Sequence, residues 1–330
     1  MAKTPEIDLR KNYIQNYLIN SNFDFWQRAT SFTTPSSGAT TADRFVTEYD
    51  GTIGTFTVSR QAFSVGQTAV PNEPKFFYRW DHTAAGSGSS VRRPVQRIED
   101  VRTLAGKTVT ISFYAKADTT RSLNLGVRQF FGSGGSALVE NAAVATFNLT
   151  TSFQKFSATY AIPSIAGKTI GSGTDHYLGI QWNLPVNTTM TIDLAQVQIN
   201  EGSEALPYSL YAKTLAQELI ACQRYYEMTY SQGTAPGSSG QLNSPIVCQI
   251  ANSAGNTLPS WQFKVVKRVV PTMTTYNPQS GATGSARDIT NSADRTTSID
   301  RINDTGVFII VSGGVSAGTT MVHASADAEI

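Results

Sequence analysis

Apolar and polar positions alternate along most of this chain. Between residues 75 and 82, Phe76, Tyr78 and Trp80 alternate with Phe77, Arg79 and Asp81. That spacing suits a strand with two unlike faces. In VTISFYAKAD, Val109, Ile111, Phe113 and Ala115 take one face, and Thr110, Ser112, Tyr114 and Lys116 the other. Leu123, Leu125 and Val127 continue the pattern up to the Gly-rich FFGSGGS. Further strands are predicted over 145–149, 154–162, 177–184 and 190–199. Asp50-Gly51 separates RFVTEY from GTFTVSR and predicts a β-hairpin. Many short strands with frequent turns and almost no helix predict an all-β fold, with a jelly-roll sandwich over residues 21–208.

The alternation breaks at residues 209–230, where a helical period replaces it. Thr214 and Gln217 have capping-box spacing, and Glu218 suits the first turn. Leu215, Leu219, Cys222 and Tyr226 then fall at i, i+4, i+7 and i+11, one narrow apolar stripe. Such a stripe is expected to be a seam, where two domains dock or where three chains meet. Past a Gly/Ser/Pro/Asn-rich linker with one strand at 246–251, a second β-pattern opens at Trp261 with Phe263, Val265 and Val269. It closes with GVFIIVSGG and TTMVHASADAEI. Residues 283–304 are polar and read as loop. Residues 231–330 are therefore expected to form a small C-terminal β-sandwich domain. At the other end, residues 1–20 are a polar lead with Tyr13, Ile14, Tyr17 and Leu18 at roughly helical spacing. The lead reads either as an attachment segment or as a first element covering the next domain.

Composition narrows the functional classes. The 330 residues are 40% hydrophobic and only 15% charged, which suits strands and polar turns. A net charge of +2 with dispersed arginines provides no basic stripe for nucleic acid. No run approaches the ~18 apolar residues of a membrane span, and residues 1–20 contain no apolar core of a secretory signal. The chain is thus expected to be made in a cytoplasm. Two cysteines, Cys222 and Cys248, are too few for a disulfide framework and read as thiols.

Catalytic motifs are weak. The AGKT strings at 105–108 and 166–169 carry Val101 and Ile162 where a phosphate-binding loop needs glycine. His82, His176 and His323 lie at no metal-ligand spacing. Asp175-His176 would point to opposite faces of a strand. Glycoside cleavage needs two opposed carboxylates, and Glu99-Asp100 reads as a turn. The expectation is a protein without enzymatic activity. Sugar binding on aromatic platforms fits better, because pyranose faces stack on exposed rings while polar neighbours bond the hydroxyls. Phe130 and Phe131, beside the Gly-rich loop, are the first candidates, with Trp80 and Trp182 next. No cofactor is implied beyond a structural Ca²⁺, for which Asp24 and Asp193 could supply oxygens where the first and last strands meet.

Several strings carry a resemblance. NYLINSNFDFWQRATSF, VQRIEDVRTLAGKTVTISFYAKA, FFGSGGS and AQVQINEGSEALPYS resemble jelly rolls of the carbohydrate-binding-module type. Together with ELIACQRYYEMT, FKVVKRVVPTMTTYNP and the final ADAEI, they resemble tail-fibre and head-fibre structural proteins of tailed bacteriophages. The resemblance runs from about Asn16 through nearly the whole chain. It implies a virion fibre or spike, usually a homotrimer, attached to capsid or tail proteins through its N-terminus and adsorbing to a host-surface glycan. It supplies no ligand residues, and the family's β-helical depolymerase domains have no counterpart here. A free lectin and a capsule- or lipopolysaccharide-degrading enzyme are the alternatives.

Overall fold

The computed structural model describes residues 16–212, 214–250, 259–312 and 317–330. Residues 1–15 of the expected attachment segment fall outside these. Eleven strands build the first domain: β1 Ser31–Thr33, β2 Phe45–Tyr49, β3 Thr55–Ala62, β4 Phe76–Ala84, β5 Arg92–Glu99, β6 Thr108–Ala117, β7 Arg121–Phe130, β8 Val139–Leu149, β9 Gln154–Ala161, β10 Tyr177–Asn183 and β11 Met190–Glu201. They form two antiparallel sheets, β1-β3-β4-β11-β6-β9 and β2-β5-β10-β7-β8. The inward positions of both sheets meet in one core. Val109, Ile111, Phe113 and Ala115 of β6 and Leu123, Leu125 and Val127 of β7 all lie in it. The expected alternation and sandwich are therefore found.

The sandwich begins earlier than residue 21. Leu18 is fully buried in the core, and the Tyr17 amide donates to the Ile199 carbonyl at 3.1 Å. Asn16 donates its side-chain amide to the carbonyls of Val197 and Ser209 at 3.2 and 3.0 Å. Residues 16–20 are thus part of the first domain.

Asp50-Gly51 does not close a hairpin. β2 pairs with β5, and β3 with β1 and β4, so this turn carries the chain from one sheet to the other. Its residues are held by the 86–91 loop instead. The Asp50 carboxylate accepts from the backbone amides of Ser90 and Val91, both at 2.7 Å. Gly51 has φ +65°, and a Cβ there would stand 2.6 Å from the Gly88 carbonyl oxygen.

The helix α1, Leu215–Gln223, is capped by Thr214, whose hydroxyl accepts from the Gln217 amide at 3.2 Å. Among the described residues eight strands follow: β12 Tyr226–Met228, β13 Ile246–Ile250, β14 Ser260–Gln262, β15 Thr272–Tyr276, β16 Ser285–Asp288, β17 Ala293–Asp300, β18 Gly306–Val311 and β19 Gly318–Asp327. β19 is the spine of this second domain, pairing with β12 and β15 near one end and with β13 and β16 near the other. The loop expected at 283–304 is largely the hairpin of β16 and β17. Asp294, Thr296, Ser298 and Ile299 are the exposed positions of β17, so pairing rather than apolar alternation makes it a strand.

The expected stripe on α1 is divided. Cys222 and Tyr226 are buried, Leu219 is half-buried, and Leu215 is exposed. Tyr226 lies on β12, beyond the helix. The inward side of α1 carries Glu218, fully buried, because its carboxylate caps the amides of Asn20 and Ala212 at 2.5 and 2.8 Å. A short helix squeezed between two sheets meets backbone donors on its inner side, and a carboxylate serves them where leucine would not.

Gly51→Ala is expected to lower the denaturation midpoint more than Gly66→Ala. Both glycines have positive φ, but nothing lies within 4 Å of a Cβ at Gly66. The left-handed backbone alone costs about 1 kcal/mol, and a clash with backbone adds to it at Gly51. Equal midpoints for the two variants would contradict this account of the turn.

Candidate functional site

The aromatic platform expected from sequence is core. Trp80 and Trp182 are 1% and 0% exposed, and Phe131 is fully buried. Trp80 stacks on Phe56 with ring centroids 4.6 Å apart, and Trp182 meets Phe113 edge-on at 6.2 Å. Both tryptophans sit at inward positions of their strands, where large rings fill the space between sheets. Phe130 is half-buried against Tyr177, centroids 5.2 Å apart. None of the three buried rings can stack on a sugar.

The expected calcium site is not assembled either. Both Asp193 oxygens accept from Arg79, at 2.7 and 2.8 Å, and Lys116 stands 3.5 Å away. Asp24 accepts from Asn22 at 3.2 Å. Among the described residues no group of three or more His, Cys, Asp or Glu side chains could hold a metal. Asp193 ties β11 to β4 and β6, and its charge is already compensated.

The two domains meet around residues 327–330. Arg28 donates to Asp327 at 2.9 Å and lies 3.5 Å from Glu329. Arg44 pairs with the other Glu329 oxygen, and Arg97 bonds the backbone oxygen of Ile330. Arg268 donates to the carbonyls of Ala328 and Glu329, both at 2.9 Å, and reaches across to Thr174 at 2.6 Å. Gln27 adds a bond to the Tyr226 carbonyl at 2.9 Å while donating to Asp43 at 2.7 Å. Asp43 is buried, and burial pushes its carboxyl above the usual carboxylate range. Arg28 and Arg44 also lie flat on Tyr226 and Tyr225, 3.6 and 3.4 Å from the ring centroids.

Beside this contact lies a cleft of about 480 Å³, between β5, the 16–20 segment and α1. Three tyrosines line it: Tyr17, Tyr211 and Tyr225. Tyr211 is 39% exposed and Tyr17 half-buried, and neither hydroxyl has a hydrogen-bond partner among the described residues. Burial raises the Tyr17 phenol above its ordinary value, so it is a neutral donor and acceptor. Planar charged groups complete the wall: Arg97, Arg224, Glu99 and Asp100. Arg224 grips Glu99 through Nε and Nη2 at 2.8–3.2 Å, and the Tyr225 hydroxyl donates to it at 2.7 Å. Burial pushes Glu99 up, but these donors outweigh it and hold the carboxyl below its usual range. Asp100 has φ +70°, a conformation asparagine and aspartate tolerate better than other side chains. The cleft can therefore offer ring faces, fixed donors and ionised acceptors.

The outer face of β2-β5-β10-β7-β8 is polar, with a charged network at one end and, beside it, a cleft of about 440 Å³ lined by Arg93, Asn124, Glu140 and Asn183. Glu48 accepts from Arg93 at 3.0 Å, from Arg97 at 2.9 Å and from Arg128 at 2.8 Å. Tyr177 lies between the guanidinia of Arg97 and Arg128, 5.1 and 5.2 Å from its ring centroid. Burial pushes the Glu48 carboxyl up, yet the bonds from Arg128 and its neighbours prevail and hold it at about 2.

No family model and no curated protein matches the chain. Solved structures do match part of it. A family-4 carbohydrate-binding module is 22% identical over 56% of this chain and 98% of its own, with TM-score 0.33. The CBM22-2 xylan-binding domain of Paenibacillus barcinonensis Xyn10C is 15% identical over 52% of this chain and 99% of its own, TM-score 0.33. The enzymatically active domain of bacteriophage CBA120 tailspike protein 4 is 14% identical over 52% of this chain, TM-score 0.33. This chain spans 21% of that tailspike's length. At these identities the likeness is one of fold.

Because the folded carboxyl of Glu48 lies below its unfolded value, its stabilisation is present above about pH 4.5 and is lost as pH falls towards 2. Glu48→Gln is expected to cost about 2–3 kcal/mol at pH 7. The gap from the parent protein should narrow in urea titrations between pH 5 and 2. A penalty independent of pH would contradict the ionic role.

Proposed function

We propose that this chain is a glycan-adhesion subunit of a tailed-bacteriophage fibre or spike, and that it holds a host-surface saccharide in the cleft between the jelly roll and α1. The observation that carries the reading is the lining of that cleft. Tyr17, Tyr211 and Tyr225 surround a space of about 480 Å³ together with Arg97, Arg224, Glu99 and Asp100. Pyranose rings are bound by just this pairing of aromatic faces with planar hydrogen-bonding groups. The virion role is supported by the fibre-protein strings in the sequence.

Binding rather than hydrolysis is favoured. A glycosidase needs one carboxyl kept protonated near neutral pH, whereas the donors around Glu99 keep it ionised. A homotrimer is supported by α1, whose one charged residue, Glu218, is buried while Leu215 and Ile220 are 44% and 50% exposed. Such an inverted helix surface suits contact with further copies of the chain.

Tyr211→Ala is expected to weaken binding to purified host-surface polysaccharide about tenfold, read by calorimetry, without lowering the melting temperature. Unchanged affinity would place the sugar elsewhere, and no affinity in the parent protein would end the adhesion reading. Light scattering at micromolar concentration is expected to give three chains for the parent and one for Ile220→Asp. A monomeric parent would contradict the trimer.

A further inference from the structure

The second domain has a face that the junction cleft does not use. Along β19, Val322, Ala324 and Ala326 point into the domain core, so His323, Ser325 and Asp327 point the other way. The register places Tyr226 and Thr272 on either side of Asp327, Met228 and Thr274 beside Ser325, and Tyr276 beside His323. This face is rich in hydroxyls and rings. The Tyr276 and Ser325 hydroxyls are 3.2 Å apart, and Tyr230 stacks on His323 with centroids 4.0 Å apart. Over it opens a cleft of about 630 Å³, walled by Val269, Val270 and Pro236, with Arg28 at the jelly-roll side. Val270 is 55% exposed and Thr272 is exposed, so the cleft is reachable from solvent.

We infer that this cleft is a second saccharide site, one that takes neutral sugars. Thr272, exposed, and Thr274 and Tyr276, half-buried, offer hydroxyls that both donate and accept, which matches a ligand made of hydroxyls, while the buried Ser325 positions the Tyr276 hydroxyl. Asp327 is 43% exposed and can accept from a sugar hydroxyl, while Val269 and Val270 give the C–H face of a pyranose an apolar wall. Charge decides the class. The one guanidinium in the lining, Arg28, already serves Asp327 and Glu329, and Glu329 also takes Arg44, so among the described residues the cleft holds two paired carboxylates and no free cation. A uronate or other acidic sugar would meet two carboxylates and find no unpaired cation to receive it, whereas a neutral hexose or pentose needs none. The proposal shares with the adhesion reading the premise that saccharides are the ligands. It needs no contact with Tyr17 or Tyr211.

The test uses the full chain and a panel of neutral hexasaccharides (cello-, xylo-, malto- and mannohexaose), with oligogalacturonate as the acidic probe. Tyr211→Ala weakens the first cleft about tenfold, and the filling variants are compared on that background. Thr272→Trp and, separately, Val270→Trp fill the second, and melting curves confirm that each variant folds. The Tyr211→Ala protein is expected to bind at least one neutral hexasaccharide, and each filling variant should weaken that binding tenfold or more. Oligogalacturonate should bind the Tyr211→Ala protein more weakly than the neutral sugar does. If Tyr211→Ala alone abolishes all binding, or if neither tryptophan changes what remains, the second site is overturned while the junction reading stands. Preference for oligogalacturonate in the Tyr211→Ala protein overturns the neutral-sugar class. Absence of binding to any saccharide by the parent protein overturns both readings.

Discussion

Four arginines hold residues 327–330 between the two domains. Arg28, Arg44 and Arg97 come from the jelly roll, and Arg268 comes from the second domain. Their partners are both side chains and main-chain oxygens, so position as well as charge is specified. Ala328 also donates its amide to the Tyr225 carbonyl at 2.7 Å. Buried ions are costly to desolvate, and a set such as Arg44, Glu329 and Arg28 adds little stability over a well-packed apolar contact. What it adds is a fixed orientation, because guanidinium forks accept only planar, correctly spaced oxygens. An apolar interface would allow the domains to slide.

Both clefts depend on that fixed orientation. Arg44 and Arg97 line the one beside α1, and Arg28, Asp327 and Glu329 line the one over β12, β19 and β15. The first cleft draws its residues from the jelly roll and from 211–225, the segment leading into the second domain, and the second from Arg28 of the jelly roll and the second domain. Behind β12, Lys267 and Glu227 form a fully buried pair at 2.6 Å, with Lys267 also donating to the Gln223 carbonyl at 2.7 Å. That pair fixes the end of α1 against the second domain, and Glu218 fixes its start against Asn20. The helix is therefore a strut set by hydrogen bonds at both ends, and its outer leucine and isoleucine are left to solvent or to another chain.

The sandwich was legible because alternation reports burial directly: β6 and β7 read as they fold. Connection was less legible. Asp50-Gly51 has hairpin chemistry, but the acceptor that decides its role is a carboxylate meeting amides some forty residues away. Residues 293–300 read as loop because both faces of β17 carry polar side chains, Arg295 and Thr297 on one and Asp294, Thr296 and Ser298 on the other, and its strand character comes from its partners. At the site, ring count misled: large aromatics on alternating positions mark core before they mark a platform, as Trp80 and Trp182 do. Tyr211 and Tyr225 stood in the junction string without any periodic signal, and Arg97 and Arg224 were scattered in sequence. Only the folding of β5 against α1 brings them together. Asp24 and Asp193 looked like oxygen ligands because nothing in the sequence revealed the Arg79 guanidinium opposite Asp193.

The central claim is that the tyrosine-lined cleft at the domain contact receives the saccharide. Tyrosine-ring NMR during titration with purified host-surface oligosaccharide tests it most directly. The account predicts saturable shifts of the ring signals of Tyr17, Tyr211 and Tyr225, with the signal of Tyr177 on the outer sheet face unmoved. Shifts confined to Tyr177, with Tyr17, Tyr211 and Tyr225 unchanged, would contradict it.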